Sequence, residues 1–176
     1  AHLILGHAVF GWGEGAVGLA FDVACHLGTL AAVLWYFRAD LWPMIGASPA
    51  ALTGGGGEQG QVVRLVLFGT VPIVVFGLLA GDWLETLRVP TVCVVTLILG
   101  AVGMIVAERA GPTTRGAADI RSGDAWAIGC GQALALFPGM SRSGTTITIA
   151  MLLGIRREVA ARFTFLLSIP AVVAAA

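Results

Sequence analysis

The residues best equipped for chemistry lie in one stretch, PGMSRSGTT, from Pro138 to Thr146. Arg142 sits among the hydroxyls of Ser141, Ser143, Thr145 and Thr146 and the glycines Gly139 and Gly144. Seventeen uncharged residues precede this arginine, Ala125 to Ser141, and thirteen follow it, Ser143 to Ile155. An arginine at the centre of a bilayer costs about 2.5–3.5 kcal/mol on insertion scales, so it is rarely idle. Pro138 removes a helix donor and Gly139 permits a sharp turn. A new helix is then expected from about Ser143. Its first N–H groups lack intrahelical acceptors and its dipole end is positive, which makes an anion site. The planar fork of Arg142 suits phosphate oxygens. The expectation is a phosphate cradle. Arg142 acts catalytically, Ser141, Ser143, Thr145 and Thr146 add hydroxyl donors, and Gly139 and Gly144 shape the approach. The competing role is structural: Arg142 pairs with a carboxylate and pins the turn, while the hydroxyls cap the helix.

His2 is the second catalytic candidate, because an imidazole near a phosphate can serve as general acid or base. Its alternative is simple hydrogen bonding, and His7 has no motif around it. Asp22 and His26 are four apart and share a helix face, where a structural pair is favoured over a cavity lining. Cys25, Cys93 and Cys130 show no metal or CxxC spacing and read as small buried apolar residues. The run TGGGGEQG, Thr53 to Gly60, lacks a phosphate-loop context and reads as a flexible linker.

The elements that must hold these residues are membrane helices. Of 176 residues, 57% are hydrophobic and 11% charged, and mean hydropathy is +0.92. Soluble domains carry about 25% charged residues. The net charge of zero gives no reason to expect nucleic acid as a partner. A span needs about 20 apolar residues; residues 17–37, 65–81 and 89–107 qualify, and another span starts near 159 and runs to 176. Residues 1–13, 125–137 and 143–155 are too short to cross. The last two read as one re-entrant hairpin over 125–155, and 1–13 as the end of a first re-entrant element. Seven arginines (38, 64, 109, 115, 121, 156, 157) fall on one side and Arg88 alone on the other, so the former side is cytoplasmic. An offset of 142 lays Ala1–Leu34 on Ser143–Ala176, with His2 over Gly144 and Phe21 over Phe163. Only four positions are identical, but the hydropathy layout suggests an inverted repeat with its site near the midplane. The expected fold is thus a single all-α integral membrane domain, a multi-span bundle with inverted repeats and re-entrant hairpins.

PGMSRSGTTITIAMLLGIRREVAARFTFLLSIPAV resembles the SRSG region of the undecaprenyl-diphosphate phosphatases, the bacitracin-resistance family. AHLIL resembles the end of that family's SS-x-x-HLIL motif, and FDVACHLGTLAAVLWYFR the segment after it. GCGQALALFPG and FGTVPIVVFGLL match in kind and order, so the resemblance spans essentially the whole chain. It implies a multi-pass enzyme of the bacterial plasma (inner) membrane that hydrolyses undecaprenyl diphosphate to the monophosphate, recycling the peptidoglycan carrier and conferring bacitracin resistance. It further implies an active site facing the outer side, a divalent cation (Mg or Ca), a polyprenyl diphosphate lipid partner and room for a homodimer. The family's essential arginine maps to Arg142 and its motif histidine to His2.

Two departures stand out. The family's acidic residues and serine pair would precede Ala1, so no metal-ligand motif is expected within these residues. His26 stands where the family commonly has Gln, and Met140 where Thr is common. The chain opens without Met and closes in the apolar run IPAVVAAA, so a piece of a longer protein, inactive alone, is expected. The alternative function is an inverted-repeat flippase or transporter of a phosphorylated lipid.

Overall fold

The computed structural model describes residues 16–110 and 112–175. The 1–13 segment, with His2 and His7, lies outside them, as do the side chains of Asp22 and His26. The described chain is all-helical, with no strand. Its helices are α1 (Ala16–Tyr36), α2 (Arg38–Leu52), α3 (Gly57–Thr86), α4 (Pro90–Arg109), α5 (Ser122–Leu134), α6 (Arg142–Leu152) and α7 (Arg157–Ala175), with a 3-10 turn at Ala117–Asp119.

α3 and α4 are long and apolar enough to cross a membrane. Pro90 occupies the start of α4, where a fixed φ is favourable and no N–H is missed. The run then stays apolar until Arg109. α3 has 30 residues, about 45 Å of helix. It passes through Pro72 unbroken and extends the expected 65–81 span at both ends. Leu78 and Leu79 are each 82% exposed, and Val94, Val95, Ile98, Leu99 and Val102 also face outward. Such a continuous apolar exterior suits hydrocarbon and not water.

The segment between α1 and α3 differs from a flexible linker. Residues 38–52 form α2, which folds back on α3. The turn between them closes through Gly55 N–H donating to Ala50 O at 2.8 Å, with Gly54 and Gly56 at positive φ. From α3, Arg64 Nη1 donates to Gly55 O at 2.8 Å and Ala51 O at 3.3 Å. The glycines therefore build a fastened turn, and Gly57–Gly60 already belongs to α3.

The core lies among α3, α5, α6 and α7, centred on Leu65, Val66, Ile128, Ala150, Ala160 and Leu167. α5 crosses α3 at Gly69 and Gly129, where a Cβ on either would strike the other helix's backbone. Small residues at such a crossing let two membrane helices approach closely. α6 packs against α4, α5 and α7, so the segment carrying Arg142 is enclosed on several sides. All three cysteines are free, but only Cys93 is buried. Cys25 and Cys130 are exposed, which corrects the expectation for them: they lie on outward helix faces.

Candidate functional site

α5 and α6 form an antiparallel pair joined by residues 135–141. Its base is tied by Arg115. The guanidinium donates to Asp124 Oδ1 at 3.0 Å and Oδ2 at 2.6 Å. It also donates to Leu153 O at 2.8 Å and Asp119 O at 2.6 Å. The Arg115 backbone joins in, its N–H reaching Gly154 O at 2.9 Å and its carbonyl accepting from Arg156 N–H at 3.0 Å. One residue thus gathers the start of α5 and the end of α6 at the same place. The hydrogen bonds from Arg115 hold the Asp124 carboxyl below the ordinary carboxylate range, with a further one from Arg121 N–H.

The tip is fixed by different means. Pro138 and Gly139 are buried, and Thr96 Oγ1 of α4 lies 2.5 Å from Pro138 O. Gly139 has φ +96°, and a Cβ there would collide with Thr96 Oγ1 and the Cys93 backbone. Both constraints require glycine at this position. Phe137 packs edge-on against Trp83, with ring centroids 5.8 Å apart, and against Phe76 at 6.2 Å. The tip is therefore level with the last turns of α3 and the first two turns of α4. This puts it closer to the Arg88 end than to the Arg115 end of these helices.

Ser141 caps α6, its Oγ accepting from Gly144 N–H at 3.1 Å. Thr145 Oγ1 donates to Ser141 O at 2.8 Å, and Thr146 Oγ1 to Arg142 O at 2.8 Å. The two threonine hydroxyls thus bond back into their own helix. Gly144 is buried, and a Cβ there would lie 3.3 Å from Met104 Cε of α4. Its smallness serves helix packing, and its N–H is already taken. What remains open is the Arg142 guanidinium, the first-turn N–H groups of Arg142 and Ser143, and the half-buried Ser143 hydroxyl. Among the described residues, no carboxylate or carbonyl accepts from the Arg142 side chain. The capping half of the structural alternative is present, and among the described residues no carboxylate pairs with Arg142.

The open groups are all donors around one cation, a set that fits an anion. The described residues contain no group of three or more His, Cys, Asp or Glu side chains suited to a metal ion. The described donor set therefore does not fit the implied divalent cation. Reading the sequence missed three features around the hairpin. Two are supports, Thr96 at the tip and the Arg115–Asp124 tie at the base; the third is Gln132, fully buried on α5 with both amide atoms unpartnered among the described residues. Gln132 had a visible signal, a lone amide in an apolar run. Thr96 had none, because its partner is 42 residues away.

The family model described as "Bacitracin resistance protein BacA" matches residues 1–176. A protein named undecaprenyl-diphosphatase from Hahella chejuensis is 48% identical over 177 residues, covering 99% of this chain and 65% of the relative. Relatives of the same name from Saccharophagus degradans and Rubrobacter xylanophilus are each 45% identical. These alignments cover 97% and 99% of this chain, and 64% and 65% of the relatives. The chain thus spans just under two thirds of the length of these curated relatives.

Proposed function

This chain belongs to the bacitracin resistance protein BacA family, and we propose that it carries the phosphate-binding half of an undecaprenyl-diphosphatase. The observation that carries this reading is the Arg142 guanidinium, without a partner among the described residues, beside the open N–H groups at the start of α6. The terminal phosphate of undecaprenyl diphosphate lies against the Arg142 fork, the N–H of Ser143 and the Ser143 hydroxyl. Water attacks the terminal phosphorus, the anhydride P–O bond breaks, and undecaprenyl phosphate and inorganic phosphate leave. Arg142 stabilises the charge on the phosphoryl oxygens, the largest contribution of such sites. His2 takes the proton from water. No step is assigned to a metal.

α5 and α6 are re-entrant on this reading, entering and leaving the membrane on the arginine-rich face, which is cytoplasmic. Thirteen residues of α5 reach about 20 Å, short of the ~30 Å hydrocarbon core. The gathering of both hairpin ends by Arg115 supports this, as does the position of the tip near Trp83 and Cys93. The diphosphate then enters from the outer side of the plasma membrane, with the polyprenyl chain along the apolar helix faces. An inverted repeat relates this hairpin to the segment containing His2, and a homodimer is compatible with the exposed apolar faces.

The test is phosphate release from undecaprenyl diphosphate by the full-length protein carrying Arg142→Ala. Turnover falls by about 100- to 1000-fold, and Arg142→Lys restores little of it, since an ammonium lacks the planar fork. Near-normal turnover in the alanine variant would remove the assignment. Wild-type protein that moves the lipid without releasing phosphate would point to a transporter.

A further inference from the structure

At the arginine-rich end, away from the hairpin tip, lies a groove of about 870 Å3 between α2, α3 and the 118–122 segment. Arg64, Arg121, Gln61 and Ser122 line its polar end, and Leu67, Phe68 and Val71 line its apolar side. We propose that this groove binds one anionic phospholipid of the adjacent leaflet, with the phosphodiester between Arg64 and Arg121 and an acyl chain running down α3.

Charge and shape both favour that occupant. The Arg121 guanidinium has no hydrogen-bond partner among the described residues. Arg64 uses Nη1 for the turn carbonyls and keeps its other nitrogens. Asp119 also lines the groove, but its carboxylate is turned to its own loop, accepting from Gly116 N–H at 2.7 Å. Two arginines against one aspartate leave a net positive pocket, suited to a phosphodiester monoanion. A free phosphate offers the same charge but would leave the apolar side empty. That side is continuous with the outer stripe of α3, since Leu67, Phe68, Val71, Val74, Val75 and Leu78 are all exposed. Phe68 stacks on Trp126 at 5.1 Å, and both are exposed at this level. Aromatic rings there match the headgroup belt of a membrane protein. Basic pockets of this kind between helices on the cytoplasmic side suit anionic lipid headgroups.

The test uses the delipidated full-length protein in neutral detergent, with dioleoyl phosphatidylglycerol or dioleoyl phosphatidylcholine added. Native mass spectrometry reads the fraction of protein that retains one lipid. Phosphatidylglycerol is retained in preference, and its affinity falls about fivefold in Arg121→Gln. Val71→Trp, which fills the apolar side and keeps both arginines, lowers retention as well. Arg88→Gln, at the opposite end, leaves it unchanged. Equal retention of the two lipids overturns the proposal, as does wild-type affinity in both groove variants. Displacement of phosphatidylglycerol by millimolar inorganic phosphate would reassign the groove to the free anion. Phosphate release at Arg142 is a separate readout, so failure here leaves the reading of the tip intact.

Discussion

The hairpin carries an arginine at each end, and the two are treated in opposite ways. Arg115 at the base makes four side-chain hydrogen bonds, two of them to one carboxylate. Arg142 at the tip makes none among the described residues. Among the described residues, only Arg115 has its charge met by the protein's own groups. A guanidinium saturated by its own fold has no capacity left for a ligand. One held half-buried without a partner is stabilised when an anion arrives. The difference separates a charge bound up in the fold from one open to the proposed phosphate, without reference to motif.

Exchanging the two losses would break this comparison most directly. Arg142→Ala removes turnover while the thermal melt of the purified protein stays at or above wild type. Arg115→Ala leaves the Asp124 carboxylate without its main partner and lowers the melting midpoint. Measured side by side in detergent, a large melting loss at Arg142 or none at Arg115 would erase the contrast. Gly139→Ala comes next. Its positive φ and the collision with Thr96 and Cys93 cost about 2 kcal/mol, and phosphate release falls because the tip shifts relative to α4.

A pH titration sharpens the base alone. The Asp124 carboxyl is depressed in the fold, so its stabilisation is present above the unfolded value of about 3.9. It is lost as pH falls through the folded value. The melting gap between wild type and Asp124→Asn therefore closes on acidification below about pH 4. A gap that persisted or widened there would contradict the assignment. Thr96→Val has the smallest effect, about 1 kcal/mol for the bond to Pro138 O, read as a slightly lower melting midpoint.

The spans were legible where apolar runs end in charge or proline. The expected 89–107 and the observed Pro90–Arg109 differ by two residues at most, because Arg109 and the Val89–Pro90 step mark the limits. The full length of α3 was not legible, since its first two turns, GEQGQVVR, have only Val62 and Val63 as apolar side chains and are held by packing on α2. Nor was α2 itself, whose Pro43 and Pro49 argue locally against a helix. At the tip, residue types indicated an anion site, and the open groups of Arg142 and Ser143 fit that chemistry. The use of each hydroxyl was not readable, because Thr145 and Thr146 choose between a ligand and a carbonyl four residues back. Only geometry decides that choice.

The base of the hairpin also bears on how the chain is put into a membrane. On the re-entrant topology proposed for α5 and α6, no hydrophilic segment between α4 and α7 has to be carried across. In the proposed orientation the sole connection delivered to the far side between α1 and α7 is the Leu87–Val89 turn. α5 and α6 can then slide in as one closed piece after α3 and α4 are seated, with Arg142 carried at its leading edge.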